Sequence, residues 1–451
     1  MKLLPGIQYK ALRRLKAAVW LYFLLVIFEG ALRKWVLPGL SDPLLIIRDP
    51  IAVYIILAAR AKGLYAFNPY SFWMVLVTCI AMVTAVTMGH GNVFVALFGA
   101  RVFLIHFPLM FAIGRILDAD DLVQIGRVTL GIAIPATLLI IMQFYSPQSA
   151  FVNRGVGGDA GGAGFSGALG YYRPPGFFSF TNGNSLYYGF LAACIFYFWF
   201  HAYLINRLLL ITATVCLLLA IPFSISRTLL FEIALSLSFM IIALLRKPGY
   251  VKRIAAGAAL VGAAWILLKD MRFFGEGMNV FIARFESANE TEGGLHGVFF
   301  DRFAGGMISA LQNAPNIPFF GYGIGMGTNA GAVLLSGDRQ FLIAEEEWGR
   351  IIGELGLLPG FIIIFIRVSL SISLLKRCIK ELRKGNTLPW MLFSFAFINI
   401  WQGNWAQPTS LGFAMLAGGM ILAAFNDSLP EEVTLFESAD EETACMPVIE
   451  A

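Results

Sequence analysis

Charge is scarce in this chain. Only 14% of its 451 residues are Asp, Glu, Lys or Arg, 58% are hydrophobic, and mean hydropathy is +0.74. A soluble globular domain carries roughly 25% charged residues, so the composition excludes that class and implies an integral membrane protein. Cysteine is scarce too. Cys79, Cys194 and Cys216 lie in apolar runs, Cys378 and Cys445 in segments assigned to the cytoplasm, and the long polar loop has none, which excludes a disulfide framework. The four histidines, His90, His106, His201 and His296, lack metal-ligand spacing, so no metal and no cofactor is expected. No internal repeat is visible, which argues against an inverted-repeat transporter with paired broken helices. The net charge of +5 implies no nucleic-acid partner, because the basic residues lie at span ends, where topology explains them. Lys10, Arg13, Arg14 and Lys16 precede the first apolar run and Arg33, Lys34 and Trp35 follow it. No small-residue cleavage site intervenes, so the start reads as an uncleaved span.

What is present is hydrophobic length. A helix needs roughly 20 apolar residues to cross a bilayer. Twelve runs qualify as candidates: 17–32, 44–60, 70–90, 93–114, 122–145, 185–205, 208–224, 228–245, 251–268, 347–375, 388–403 and 409–425. With a cytoplasmic amino terminus the inside loops collect Arg60, Lys62, Arg115, Arg207, Arg246, Lys247, Lys252, Arg253 and the cluster from Lys376 to Lys384. The short outside loops carry almost none apart from Arg33 and Lys34, the positive-inside pattern. The expected fold is therefore an all-α, multi-pass protein of about twelve transmembrane helices in a bacterial inner membrane, with both termini cytoplasmic. Residues 1–425 form the transmembrane domain with extracytoplasmic loops 146–184 and 269–346. Residues 426–451 read as a disordered acidic tail.

The long loop at 269–346 cannot be a span, since it carries more than a dozen ionisable groups. It keeps Phe299, Phe300, Phe303, Phe319, Phe320 and Phe341, and disordered segments are poor in aromatics, so a folded cap is expected. Within it, Asp301 to Asn313 has helical spacing, with Phe303, Met307 and Leu311 at i, i+4, i+8. In the earlier loop, 153–164 is glycine-rich and reads as a flexible lid or surface loop. The aromatic segment from Tyr171 to Asn184 is stiffened by Pro174 and Pro175.

Four arginines are candidate anion ligands: Arg101 inside a span, Arg173 at the outer mouth, Arg227 between two apolar runs and Arg302 on the loop helix. A charge within a span is costly and marks function by default, and guanidinium groups bind phosphate in bidentate fashion. The bland alternatives are a buried salt bridge of Arg101 with Glu29 or Asp49, and interfacial snorkelling of Arg227. A second constellation, Glu345, Glu346 and Glu347, enters a late span. Mutual repulsion can make one carboxylate a base; acids at a helix start are the ordinary reading. Glu354 follows a turn or two into the span. Gly321 to Gly327 has the wrong spacing for a dinucleotide fingerprint, and Asp118-Ala-Asp120 is a weak echo of a metal–nucleotide-sugar motif.

Taken in order, Arg173-Pro-Pro-Gly-Phe-Phe-Ser-Phe-Thr-Asn182, Ser226-Arg227, Asp301-Arg302, Pro318-Phe-Phe-Gly-Tyr-Gly-Ile-Gly325 and Glu354-Leu-Gly-Leu-Leu-Pro-Gly360 resemble the O-antigen ligase and O-antigen polymerase superfamily over roughly residues 90–425. The resemblance implies a GT-C-like, metal-independent, inverting glycosyltransferase. Such an enzyme moves a glycan from undecaprenyl diphosphate to an acceptor glycan at the outer face of the inner membrane, alongside other polysaccharide-assembly proteins. In that frame Arg101, Arg173, Arg227 and Arg302 would hold the diphosphate. Ligases of this family often place a His before the late span. Here Ala344-Glu345-Glu346-Glu347 stands in its place, leaving a carboxylate as the available base, with Glu346 the first choice. A transporter or flippase for a lipid-linked or anionic solute is the alternative.

Overall fold

The structure, a computed structural model, describes residues 9–65, 68–246, 249, 251–292, 305–313, 317–337, 342–344 and 346–426. It is all-α apart from a two-residue hairpin, Phe165–Ser166 paired with Tyr172–Arg173. In chain order the helices are α1 (Tyr9–Ala31), α2 (Ser41–Leu44), α3 (Arg48–Ala61), α4 (Pro69–Thr87), α5 (Val93–Arg101), α6 (Phe107–Ile116), α7 (Ala119–Tyr145), α8 (Thr181–Phe200), α9 (Arg207–Phe223), α10 (Arg227–Arg246), α11 (Val251–Leu268) and α12 (Arg272–Glu292). They continue with α13 (Gly306–Asn313), α14 (Asn329–Ser336), α15 (Glu347–Leu355), α16 (Leu357–Arg383), α17 (Leu388–Trp401) and α18 (Pro408–Ala424). Each apolar run picked out in the sequence is largely helical. Among the described residues six helical segments are long and apolar enough to cross a membrane, and α9, α17 and α18 are shorter apolar helices. The chain is a polytopic helical membrane protein.

Asparagine and aspartate start several of these helices. Asn68, Asn92 and Asn206 each accept a backbone N–H from the first turn they cap, satisfying donors that the helix itself leaves open. Asp118 and Asp121 form a reciprocal capping box at the start of α7, and Lys16 pairs with both. That accounts for Asp118 by local capping, while Asp120 is exposed. The centre of the bundle is α18, buried along almost all of its length and packed against α6, α8 and α17. Glycines permit the closest approach: a Cβ at Gly418 or Gly419 would collide with Met110 or Ile113 of α6.

One apolar run folds differently from the sequence expectation. The run 347–375 is not one helix. It breaks at Gly356, whose φ of 82° suits glycine, and α15 doubles back along α16, so that Glu347 meets Arg367 twenty residues on. Irregular backbone at membrane depth is tolerated where protein surrounds it, and α15 is mostly buried. The run 251–268 is helical over its expected bounds as α11, and a bend of 104° then leads into α12. Phe273 then stacks on Phe223 at 6.0 Å and its carbonyl accepts Tyr145 Oη at 2.8 Å, so α12 begins against the ends of α7 and α9.

Both long loops lie at one end of the bundle. Tyr171 donates to Glu276 across them, and its ring stacks on Phe144 at 4.5 Å. The segment 153–164, read as a flexible lid or surface loop, is tied down at its start by Asn153, whose buried Nδ2 donates to the carbonyls of Gln143, Ser146 and Pro147 at 2.9–3.1 Å. Of the expected helix from Asp301 to Asn313, the described part is α13. Arg302, Glu345, His296 and the acidic tail from residue 427 on lie outside the described residues.

Candidate functional site

A cavity of about 230 Å³ opens at the long-loop end. Thr228 and Phe231 enter it from α10, Gly306 and Met307 from α13, Glu346, Glu347 and Trp348 from the start of α15, and Ile398, Gln402 and Asn404 from the end of α17. The α15 hairpin is what brings carboxylates here. The glycine run holds that hairpin: Tyr322 and Gly323 N–H donate to the carbonyls of Gly353 and Glu354 at 2.8 and 2.9 Å, and Gly327 N–H donates to Glu354 Oε1 at 2.9 Å. Gly325, at φ 92°, lies so close to Val95 and Gly99 of α5 that a side chain at 325 or 99 would collide with backbone.

Glu346 and Glu347 have opposite surroundings. Glu346 is exposed, caps the amino end of α15, and lies against Gly306, where a Cβ would come within 2.9 Å of its carboxyl carbon. Glu347 is 3% exposed. Arg350 Nε and Nη2 donate to its two oxygens at 2.9 and 3.0 Å, and Arg367 Nη1 donates to Oε1 at 2.5 Å. Arg350 Nη1 also donates to Glu354 Oε2 at 2.8 Å. Arg367 finishes its donors on the carbonyls of Ile400 and Gly403 at 3.0 and 2.7 Å, and stacks on Trp405 at 3.7 Å. Two guanidinium groups occupy the oxygens of Glu347, leaving little access for a substrate proton. Glu346 and Glu347 therefore do not act as one repelling pair, because Arg350 and Arg367 compensate the charge of Glu347.

Across Trp405, whose ring also meets Phe103 and Phe107 at 6.5 and 6.1 Å, lies a second ion network. Arg101 Nη1 donates to both oxygens of Asp49 at 2.8 and 2.9 Å, and His106 Nε2 approaches the same carboxylate at 2.9 Å. Glu29 pairs with Arg48 at 2.8 Å and Arg33 at 3.6 Å. Arg33 and Lys34, the exceptions to the positive-inside pattern, are buried rather than aqueous. Lys34 donates to the carbonyl of Gly176 and Arg33 to Ser41 O and Ser179 Oγ, so both fasten the segment that follows Arg173.

No family model, no curated protein and no solved structure matches the chain.

Among the described residues, the sequence-predicted arginines Arg101, Arg173 and Arg227 have different settings. Arg227 immediately precedes the cavity residue Thr228 and is buried. Arg173 lies on the hairpin strand opposite Phe165, whose turn packs Gly167 on Ile225, two residues from Arg227. Arg101 belongs to the Asp49 network, as the salt-bridge alternative anticipated. Sequence reasoning passed over Arg350, Arg367 and Glu232. The last, the only acidic residue within the run 228–245, was detectable by the cost of a charge in a span. Arg350 lies inside the late run itself, and its meaning depends on the α15 reversal, which hydropathy does not reveal.

Proposed function

We propose that this protein transfers a glycan from undecaprenyl diphosphate to an acceptor glycan, as a polysaccharide polymerase or ligase, at the outer face of a bacterial inner membrane. The observation that carries the reading is the exposed Glu346 carboxylate in a cavity also lined by Thr228, Gln402 and Asn404, with Arg227 the residue before Thr228, at the bundle end where both long loops meet. Glu346 would accept the proton of the acceptor hydroxyl as the new glycosidic bond forms. Arg173 and Arg227, together with Arg302, would hold the diphosphate and stabilise its charge as it leaves. Glu347, clamped by Arg350 and Arg367, would fix the cavity wall. Gln402 and Asn404 offer hydrogen bonds to sugar hydroxyls. The inverting, metal-independent course, the GT-C-like class and the remaining spans of a twelve-span topology with both termini cytoplasmic belong to the same reading.

The test is glycan lengthening by the purified chain in lipid vesicles supplied with an undecaprenyl diphosphate oligosaccharide. Glu346→Gln, which keeps size and removes charge, is expected to lower the rate by about 10²- to 10⁴-fold, the usual worth of a general base, with the fold unchanged. Normal lengthening in that variant removes Glu346 as the base. Movement of the glycolipid across the bilayer without lengthening would replace the enzyme with a transporter.

A further inference from the structure

Glu232 lies on α10, 8% exposed, five residues beyond Arg227. Its Oε2 is buried and has no hydrogen-bond partner among the described residues, and no described cation pairs with it. The carboxyl rests on Gly189 of α8, where any side chain would collide with Oε2, so the helix pair is shaped to accommodate it.

The position is not isolated. Thr228, Glu232 and Ser236 recur at i, i+4 and i+8 and share one face of α10. Thr228 lines the cavity. Ser236 meets Ser394 of α17 at 2.9 Å, and Ile398 and Gln402, one and two turns along from Ser394, line the cavity again. On α8, Ser185 bonds Ser226 at 2.7 Å, one turn before Gly189. A polar seam between α8, α10 and α17 therefore descends from the cavity, with Glu232 its one ionisable group.

The groups on the packed elements do not neutralise it. On α8, Tyr187 donates to Thr129 O and Tyr188 is engaged with Thr137, leaving Cys194 and, further along, Tyr197. Leu388–Trp401 of α17 has no titratable side chain. Arg227 is five residues away on α10, about 140° around the helix. From α12, Phe285 reaches Phe231, and its neighbour Arg284 donates to Gly167 O at 3.5 Å; Glu286 is the other neighbour. An isolated carboxylate in such surroundings is strongly disfavoured against the neutral acid.

We propose that Glu232 is a proton-binding site of the bundle: a carboxyl that rests protonated in the α8–α10–α17 seam and exchanges its proton with the cavity above. The step is a simple ionisation, in which the acid O–H breaks, the pair stays on the carboxylate and the proton passes to cavity water. It stands whether or not glycosyl transfer is what the cavity performs.

Infrared spectra of the full chain in lipid vesicles test it. The wild type should show a protonated-carboxyl stretch that is lost in Glu232→Gln and shifts within minutes of transfer to D2O. No difference between wild type and variant means an ionised Glu232 and overturns the proposal. A band that fails to shift over a day means a sealed site and overturns the exchange. A second measurement needs no variant. Dicyclohexylcarbodiimide, which labels protonated carboxyls in apolar surroundings, should place about ten-fold more label on Glu232 than on Glu346 at neutral pH. The reverse ratio, read by peptide mass spectrometry, overturns it.

Discussion

Two buried ion networks flank Trp405, and they are finished to different degrees. In the one built on Glu347, two carboxylates face two guanidinium groups, and every nitrogen of Arg350 and Arg367 donates. In the one built on Asp49, three guanidinium groups, those of Arg33, Arg48 and Arg101, face two carboxylates. Arg48 Nη1 and Arg101 Nε find no partner among the described residues, and Nη1 is pressed against Gly412 of α18. Burying a charge is tolerated only when it is paired and hydrogen-bonded. A balanced, fully bonded set is a scaffold. A set with surplus positive charge and open donors has capacity left for an anion or for water. The Glu347 network thus supports the cavity wall, and the Asp49 network is the more polarisable of the two.

The comparison breaks most decisively at Arg367. Arg367→Met leaves the Glu347 carboxylate half compensated and uncaps two carbonyls. Removing one partner of a buried pair costs about 3–5 kcal/mol, so this variant should show the largest loss, measured as denaturant unfolding in detergent. If Arg367→Met unfolds like the wild type, the network is not the scaffold described here.

A smaller effect is expected at Arg101. Asp49 keeps His106 and the field of Arg48, and one surplus cation disappears. Arg101→Met should therefore cost about 1–3 kcal/mol, the range for a lost buried hydrogen-bond partner, measured by the same denaturant unfolding. Equal losses in the Arg101 and Arg367 variants would erase the distinction between the two networks.

These networks mark the boundary of what the sequence made legible. Hydropathy located apolar helices because the bilayer imposes length, and six helical segments among the described residues are long and apolar enough to cross it; the capping roles of Asn68 and Asp118 emerged only in the structure. The pairing of Arg101 with Asp49 was available as an alternative, since few acids lie in the spans. The reversal at Gly356 was not visible: a helix–turn–helix and one long span have the same hydropathy, and only the Glu347–Arg367 contact separates them. Glu346 could be singled out as a candidate only by the 100° step between successive helical residues. Arg350 and Arg367, which decide what Glu347 can do, are given their role by tertiary contact alone.

The smallest effect belongs to the ionic contact at the opposite end of the bundle. Lys16 pairs with Asp118 and Asp121, and all three side chains remain partly open, at 22%, 27% and 15% exposure. Charges that keep part of their water gain little from pairing and are screened by salt. The carboxylates also have a second occupation, since the capping box binds each to the backbone N–H of the other. Lys16→Met should therefore cost only about 0.2–1 kcal/mol, and the difference from wild type should shrink as ionic strength rises. Asp118→Ala, which removes the cap as well, should cost more, about 0.5–2 kcal/mol, and that excess should persist in salt. Measured together, the two variants separate charge pairing from capping. If Lys16→Met proves as damaging as Arg367→Met and insensitive to salt, partial exposure is a poor guide to the worth of an ion pair in this bundle, and the ranking of its networks must be rebuilt from measured stabilities.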